Sequence, residues 1–228
     1  MFAKLTSLLL LGLVRLLTGA QARWYGCPPK AELRIYFANH QSHADLVMIW
    51  AALPAELRGI TRPIAARDYW TTSPLRRWIT TAVFNAVYVD RAPAAKPPAE
   101  GGEPPPRPAS TTPPSFATLA PDDTLYPLAA ALDGGDSIII FPEGTRGFAE
   151  EPQPFKSGLY LLARMFPQAV LVPAWIQNIQ RVMPKGEVVP VPILCSVTFG
   201  TPMQVEAGEE RRAFLDRARA AVIALRDI

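Results

Sequence analysis

The chain is poor in the side chains on which many enzymes rely. Among 228 residues it has two cysteines, Cys27 and Cys195, and two histidines, His40 and His43. That excludes a zinc cluster and a histidine-rich metal site, and no metal is expected; a disulfide between two lone cysteines so far apart has no supporting pattern. No Gly-x-Ser-x-Gly elbow occurs, and Cys195, in ILCSV, reads as a small buried apolar residue rather than a nucleophile. No apolar run reaches the ~20 residues of a membrane-spanning helix. No dense Lys/Arg run interleaves with aromatics, so no nucleic-acid partner is expected. Acidic residues are missing altogether before Glu32. What the chain has is apolar bulk, 49% of its residues against 19% charged, which excludes disorder throughout. The length suits one domain with a core that needs no disulfide.

The missing acids skew the charge. Residues 1–91 carry 11 Lys and Arg against 5 Asp and Glu, whereas residues 92–228 carry 12 against 15. A basic, apolar first part favours anionic head groups or phosphorylated ligands. Leu5 to Leu17 is nearly all apolar but short, and it contains Arg15. Drawn as a helix, it places Lys4, Ser7, Arg15 and Thr18 on one stripe, interrupted by Leu11, with Leu and Val around the rest. That pattern predicts an interfacial helix, residues 1–23, with its polar stripe at the head groups. The segment with Ala20-Gln21-Ala22 also resembles a cleavable secretory signal, against which the charge of Arg15 counts; a buried core helix is the third reading of a Leu-rich segment of this length.

Residues 24–228 read as one domain. Apolar runs of strand character cover 33–38, 62–66, 86–89, 137–141 and 170–175, with an extended stretch over 188–199. Helical patterns cover 46–53 (stopped by Pro54), 75–84 (opened by Pro74), 125–132 (closed by Gly134-Gly135), 158–166 and 209–225. Of the 25 prolines, eleven fall between 93 and 127. Residues 92–127 are therefore expected to be a disordered, Pro-rich insertion. Strands alternating with helices predict an α/β fold, a mixed, largely parallel sheet flanked by helices, with the N-terminal interfacial membrane-anchoring helix added.

Chemistry-bearing residues follow three of the predicted strands, where α/β sheets gather ligands. After the first comes Asn39-His40-Gln41-Ser42-His43-Ala44-Asp45. If this segment bends into the helix, the Asp45 carboxylate reaches the His40 imidazole, fixes its tautomer and leaves the other nitrogen to take a proton. Alternatively Ser42-x-x-Asp45 is a capping-box-like pair and Asp45 only satisfies backbone donors. After another strand comes Phe141-Pro142-Glu143-Gly144-Thr145-Arg146. There Gly144 permits close backbone approach and Arg146 offers a planar fork suited to phosphate. Glu143 could orient that Arg or bind a hydroxyl, and Lys156 follows in Phe-Lys-Ser-Gly. The third strand end supplies Arg91. This set points to general-base activation of a substrate hydroxyl beside a bound phosphate, without an acyl-enzyme.

Four segments in order, NHQSHAD (39–45), AVYVDR (86–91), FPEGTR (141–146) and VLVPAWI (170–176), resemble the blocks of the glycerolipid acyltransferase family, which includes the 1-acyl-sn-glycerol-3-phosphate (lysophosphatidic acid) acyltransferases. The likeness covers about residues 33–180. It departs at Asn85, where Gly is common, and at Gly147, where Ser is frequent. The resemblance makes 24–228 an acyltransferase domain. It implies transfer of a fatty acyl group from an acyl-CoA or acyl-carrier-protein thioester, a co-substrate and not a cofactor, to the hydroxyl of a lysophospholipid, giving phosphatidate if the acceptor is 1-acyl-glycerol-3-phosphate. His40 is then the base and Asp45 its orienting carboxylate. Arg91, Arg146 and Lys156 hold the acceptor phosphate, and Glu143, Gly144 and Thr145 shape its site. The implied partners are membrane lipids, and the implied location is the cytoplasmic face of the inner membrane, with peripheral or monotopic attachment. The alternatives are another acceptor such as a lyso-ornithine lipid, a thioesterase, and a noncatalytic lipid-binding peripheral membrane protein.

Overall fold

The computed structural model describes residues 2–42, 44–90, 115–147, 151–179 and 193–228. Seven strands form one sheet: β1 (Gln21–Trp24), β2 (Arg34–Ala38), β3 (Thr61–Ala66), β4 (Val87–Val89), β5 (Ser137–Ile140), β6 (Val170–Gln177) and β7 (Ser196–Phe199). Their order is β1-β7-β6-β2-β5-β3-β4. Every pairing is parallel except β6 with β7, so the sheet is mixed and largely parallel, as expected. All residues of β2 and β5 are buried, which suits central parallel strands covered on both faces and explains their unbroken apolar runs.

Helices cover both faces. On one lie α1 (Phe2–Thr18), α2 (Asp45–Ala52), α3 (Ala55–Gly59) and α5 (Pro74–Trp78), the last prolonged by a π-turn over Ile79–Val83. On the other lie α6 (Tyr126–Asp133), α7 (Gly158–Met165) and α8 (Arg211–Ile223). A single turn, α4 (Arg67–Trp70), follows β3 directly. Pro74 opens α5 at its first turn, and Gly135, at φ +86°, closes α6 in the left-handed conformation that glycine takes without strain.

Three expectations change. The extended run over 188–199 is a strand only over Ser196–Phe199, with 180–192 outside the described residues. The Pro-rich stretch folds from residue 115 onward. Phe116–Thr118 forms a short 3-10 turn, and Phe116 and Leu119 pack against the core beneath α6, where apolar burial outweighs the scattered prolines. The stripe on α1 is turned the other way. Leu11 and Thr18 are buried, and Thr18 Oγ1 donates to the Val14 carbonyl at 2.7 Å, satisfying the hydroxyl inside the helix. Lys4 and Arg15 stay exposed along its edge, while Phe2, Leu5, Leu8, Leu9, Leu13 and Leu16 face outward, each more than half exposed. No helix among the described residues is long and apolar enough to cross a membrane. Gln21 and Ala22 form the first half of β1, beside Ser196 and Val197, so a cut after Ala22 would divide an edge strand.

Asn85 shows why a residue other than glycine serves there. Its φ is +48°, in the left-handed region that Asn enters more readily than other non-glycine residues. Asn85→Gly is expected to leave thermal stability unchanged or slightly raised. Asn85→Val is expected to lose about 1–2 kcal/mol in a denaturant titration. Equal midpoints for Val and Asn would contradict this backbone assignment.

Candidate active site

The strand ends at one edge of the sheet build the site. β2 stops at Ala38, and Asn39 continues its pairing through a side chain. The Asn39 amide donates to the Ile176 carbonyl at 3.0 Å and its oxygen accepts the Ile176 N–H at 2.8 Å. This two-sided clamp is buried and releases the backbone of β2 to turn away at His40.

Asp45 organises the turn. Its Oδ2 accepts from His40 Nδ1 at 2.8 Å, from the Gln41 N–H at 2.6 Å and from the Ser42 N–H at 2.8 Å. The same oxygen thus meets backbone donors and the imidazole, while the N-cap of α2 is Ala44, with no side-chain cap bond, rather than Ser42. Asp45 is wholly buried, whereas the His40 side chain keeps 19% of its surface. With Nδ1–H donated to a carboxylate, Nε2 is the basic nitrogen, and it has no hydrogen-bond partner among the described residues.

The FPEGTR loop lies against this histidine. The Phe141 ring stacks on the imidazole, centroids 4.5 Å apart and planes 19° from parallel. Glu143 turns inward: Oε1 accepts the His40 backbone N–H at 2.7 Å and Oε2 accepts the Gln153 N–H at 2.8 Å. In return the Gly147 N–H donates to the His40 carbonyl at 2.9 Å. Burial raises the Glu143 carboxyl above its ordinary range, opposed by the N–H groups of Gln153 and His40. The carboxylate therefore ties two loops together, and it makes no ion pair with Arg146 among the described residues.

Cations line the open side of the loop. Gly144 has φ +69°, and the Lys156 side chain lies across it so closely that a Cβ there would meet Nζ at 2.6 Å. Thr145 Oγ1 donates to Gln153 at 3.4 Å, and Arg146 is exposed with no ion pair among the described residues. The structure thus brings together His40, Asp45, Glu143, Gly144, Thr145, Arg146 and Lys156. Arg91 lies outside the described residues. The strand leading to it, β4, is two strands from β5, about 10 Å at ordinary sheet spacing. Neither cysteine competes as nucleophile: burial pushes the Cys195 thiol up to about 11 and raises Cys27 as well. Among the described residues no group of His, Cys, Asp and Glu could hold a metal ion.

Sequence reasoning gave no role to Asn39, Phe141 or Gln153. A polar residue closing an apolar strand was the available signal for Asn39; the other two act through contacts made only by the fold. Asn39→Ala is expected to cost about 1–3 kcal/mol, the penalty for a buried partner left unsatisfied. Asn39→Asp sharpens the test. Ionised, the carboxylate faces the Ile176 carbonyl; protonated, it restores a donor and an acceptor. Its folded pKa is raised, so stability is lost as pH rises. A variant whose melting temperature relative to the parent did not recover on acidification would contradict the clamp.

A family model described as Acyltransferase matches residues 28–177. No curated protein sequence matches the chain. Among solved structures, the 1-acyl-sn-glycerophosphate (LPA) acyltransferase PlsC from Thermotoga maritima aligns with a TM-score of 0.63 at 18% identity, over 99% of this chain and 80% of that one. The likeness in fold spans the sheet and the helices on both of its faces, and the matched region begins before β2 and ends with β6, enclosing the His40 and FPEGTR loops. The chain belongs to the acyltransferase family, as its four sequence blocks suggest.

Proposed function

We propose that the protein moves a fatty acyl group from an acyl-CoA or acyl-carrier-protein thioester to the free hydroxyl of a lysophospholipid, with 1-acyl-glycerol-3-phosphate as acceptor and phosphatidate as product. The observation that carries this reading is the His40 ring, fixed by Asp45 with Nε2 free and stacked on Phe141 of the loop that carries Arg146 and that Lys156 crosses at Gly144. The solved neighbour of like fold is named for the same acceptor, which supports the choice.

In the proposed reaction His40 Nε2 takes the proton of the acceptor hydroxyl as its oxygen attacks the thioester carbonyl. The carbon–sulfur bond then breaks, and the thiolate leaves with the proton from the imidazolium. Ester and free thiol are the products, and no covalent enzyme intermediate forms. Asp45 keeps Nδ1 protonated and stabilises the imidazolium while it exists. Arg146 and Lys156, with Arg91 as a third candidate, hold the acceptor phosphate. Gly144 and Thr145 shape the loop beneath it, and Glu143 holds that loop on the histidine. The outward leucines of α1, edged by Lys4 and Arg15, suit an interfacial helix that keeps the enzyme on the lipid surface where acceptor and product reside. Thioester donors are cytosolic, which favours the cytoplasmic face of the inner membrane.

The test is product analysis by mass spectrometry with a long-chain acyl-thioester and lysophosphatidate. Phosphatidate is expected; free fatty acid released equally without acceptor would favour a thioesterase and contradict the reading. His40→Ala is expected to lose at least about 100-fold in kcat with the fold retained. Arg146→Ala is expected mainly to raise KM for the phosphorylated acceptor. Parent-like turnover in the first, or an unchanged KM in the second, would remove that residue from its role.

A further inference from the structure

The segment between β3 and β4 carries a second outward surface. Its residues 74–78 read Pro-Leu-Arg-Arg-Trp, and all five are exposed. Leu75 is 65% and Trp78 39% exposed, large apolar groups that a soluble surface rarely sets side by side. Arg76 and Arg77 stand between them with no carboxylate partner among the described residues; Arg76 instead lies over the Tyr69 ring, 4.8 Å from its centroid. Aromatic, leucine and arginine side chains in one short stretch are the composition found at membrane–water interfaces.

The placement is specific. α4 leaves the C-terminal end of β3, the edge of the parallel strands at which β2 also ends before His40. The π-turn that prolongs α5 packs against α1. The outward leucines of α1 and the exposed residues of α5 are thus carried by two elements in contact. Their cations, Lys4, Arg15, Arg76 and Arg77, complement an anionic surface.

We infer that α5 is a second contact with an anionic phospholipid bilayer, Leu75 and Trp78 entering the interface and Arg76 and Arg77 meeting lipid phosphates. Two contacts fix an orientation where one helix alone would leave the domain free to roll about its axis. With α5 down, the strand ends bearing His40 border the bilayer, and an acceptor can present its head group without leaving the leaflet. This deepens the membrane reading of α1, and its test is read separately from that one and needs no turnover.

Full-length protein is sedimented with vesicles of phosphatidylcholine alone and of equimolar phosphatidylcholine and phosphatidylglycerol. Leu75→Gln/Trp78→Gln is expected to partition about tenfold more weakly on both. Arg76→Gln/Arg77→Gln is expected to lose about tenfold or more on the anionic vesicles only. Leu9→Ser/Leu13→Ser/Leu16→Ser is the comparator for α1. Unchanged circular dichroism and melting temperature guard against unfolding. As a second readout, lipids brominated on their acyl chains should quench a tryptophan component that is absent from Trp78→Phe. Loss of binding in the α1 variant with parent-like partition of both α5 variants, and quenching identical in Trp78→Phe, would overturn this inference alone; no vesicle binding by the parent would overturn both. Parent-like vesicle partition of the arginine pair with loss of acyl-carrier-protein binding would assign the patch to that protein and overturn the bilayer.

Discussion

One carboxylate oxygen sets the geometry on which the site depends. Asp45 is wholly buried, and a buried carboxylate is costly unless donors surround it. The donors that reach Oδ2 are the imidazole of His40 and the backbone of Gln41 and Ser42. The turn can therefore close only in the conformation that brings those N–H groups together, and that conformation presents Nε2 outward. Asp45 also stands in the first turn of α2, where the helix dipole favours negative charge. The same contact fixes the path of the chain between β2 and α2 and the tautomer of the base.

A second tie makes the arrangement cooperative. β2 and β5 are neighbours in the sheet, so the loops that leave them emerge side by side. Glu143 from one grips the backbone of His40 in the other, and Gly147 answers from the same loop. Phe141 fills the space between with a stacked ring. Asn39 anchors the opposite flank of β2 to β6. The histidine is thus supported on both sides, by the Glu143 and Phe141 side chains from one neighbour and by the Asn39 amide on the other. The exposed cations Arg146 and Lys156 are left free to answer a ligand.

Much of this was legible in the amino-acid order. The all-buried strands β2 and β5 announced themselves as apolar runs, and the motifs at their ends showed where chemistry would gather. β1, α3 and α4 were not legible: Gln21–Trp24 is short and half polar, and only pairing with β7 makes it a strand. The reversed face of α1 was hidden for a related reason. The stripe of Lys4, Ser7, Arg15 and Thr18 looks like the solvent side until α2 supplies a surface on which Thr18 and Leu11 bury. Glu143 misled in the same way, since an acidic residue in a loop with an arginine suggests an ion pair. Its two backbone partners come from segments 103 and 10 residues away in sequence.

The central claim is that Asp45 holds His40 as the Nδ1–H tautomer, with Nε2 unprotonated and available. Nitrogen NMR of protein labelled at histidine tests it most directly, with His43→Gln resolving the two rings. At pH above the imidazole titration, the His40 signals should show a protonated Nδ1, with its proton shifted far downfield by the carboxylate, and a bare Nε2. Asp45→Asn should weaken or invert that assignment. A His40 ring protonated at Nε2 in the parent protein, or a tautomer indifferent to Asp45→Asn, would contradict the account.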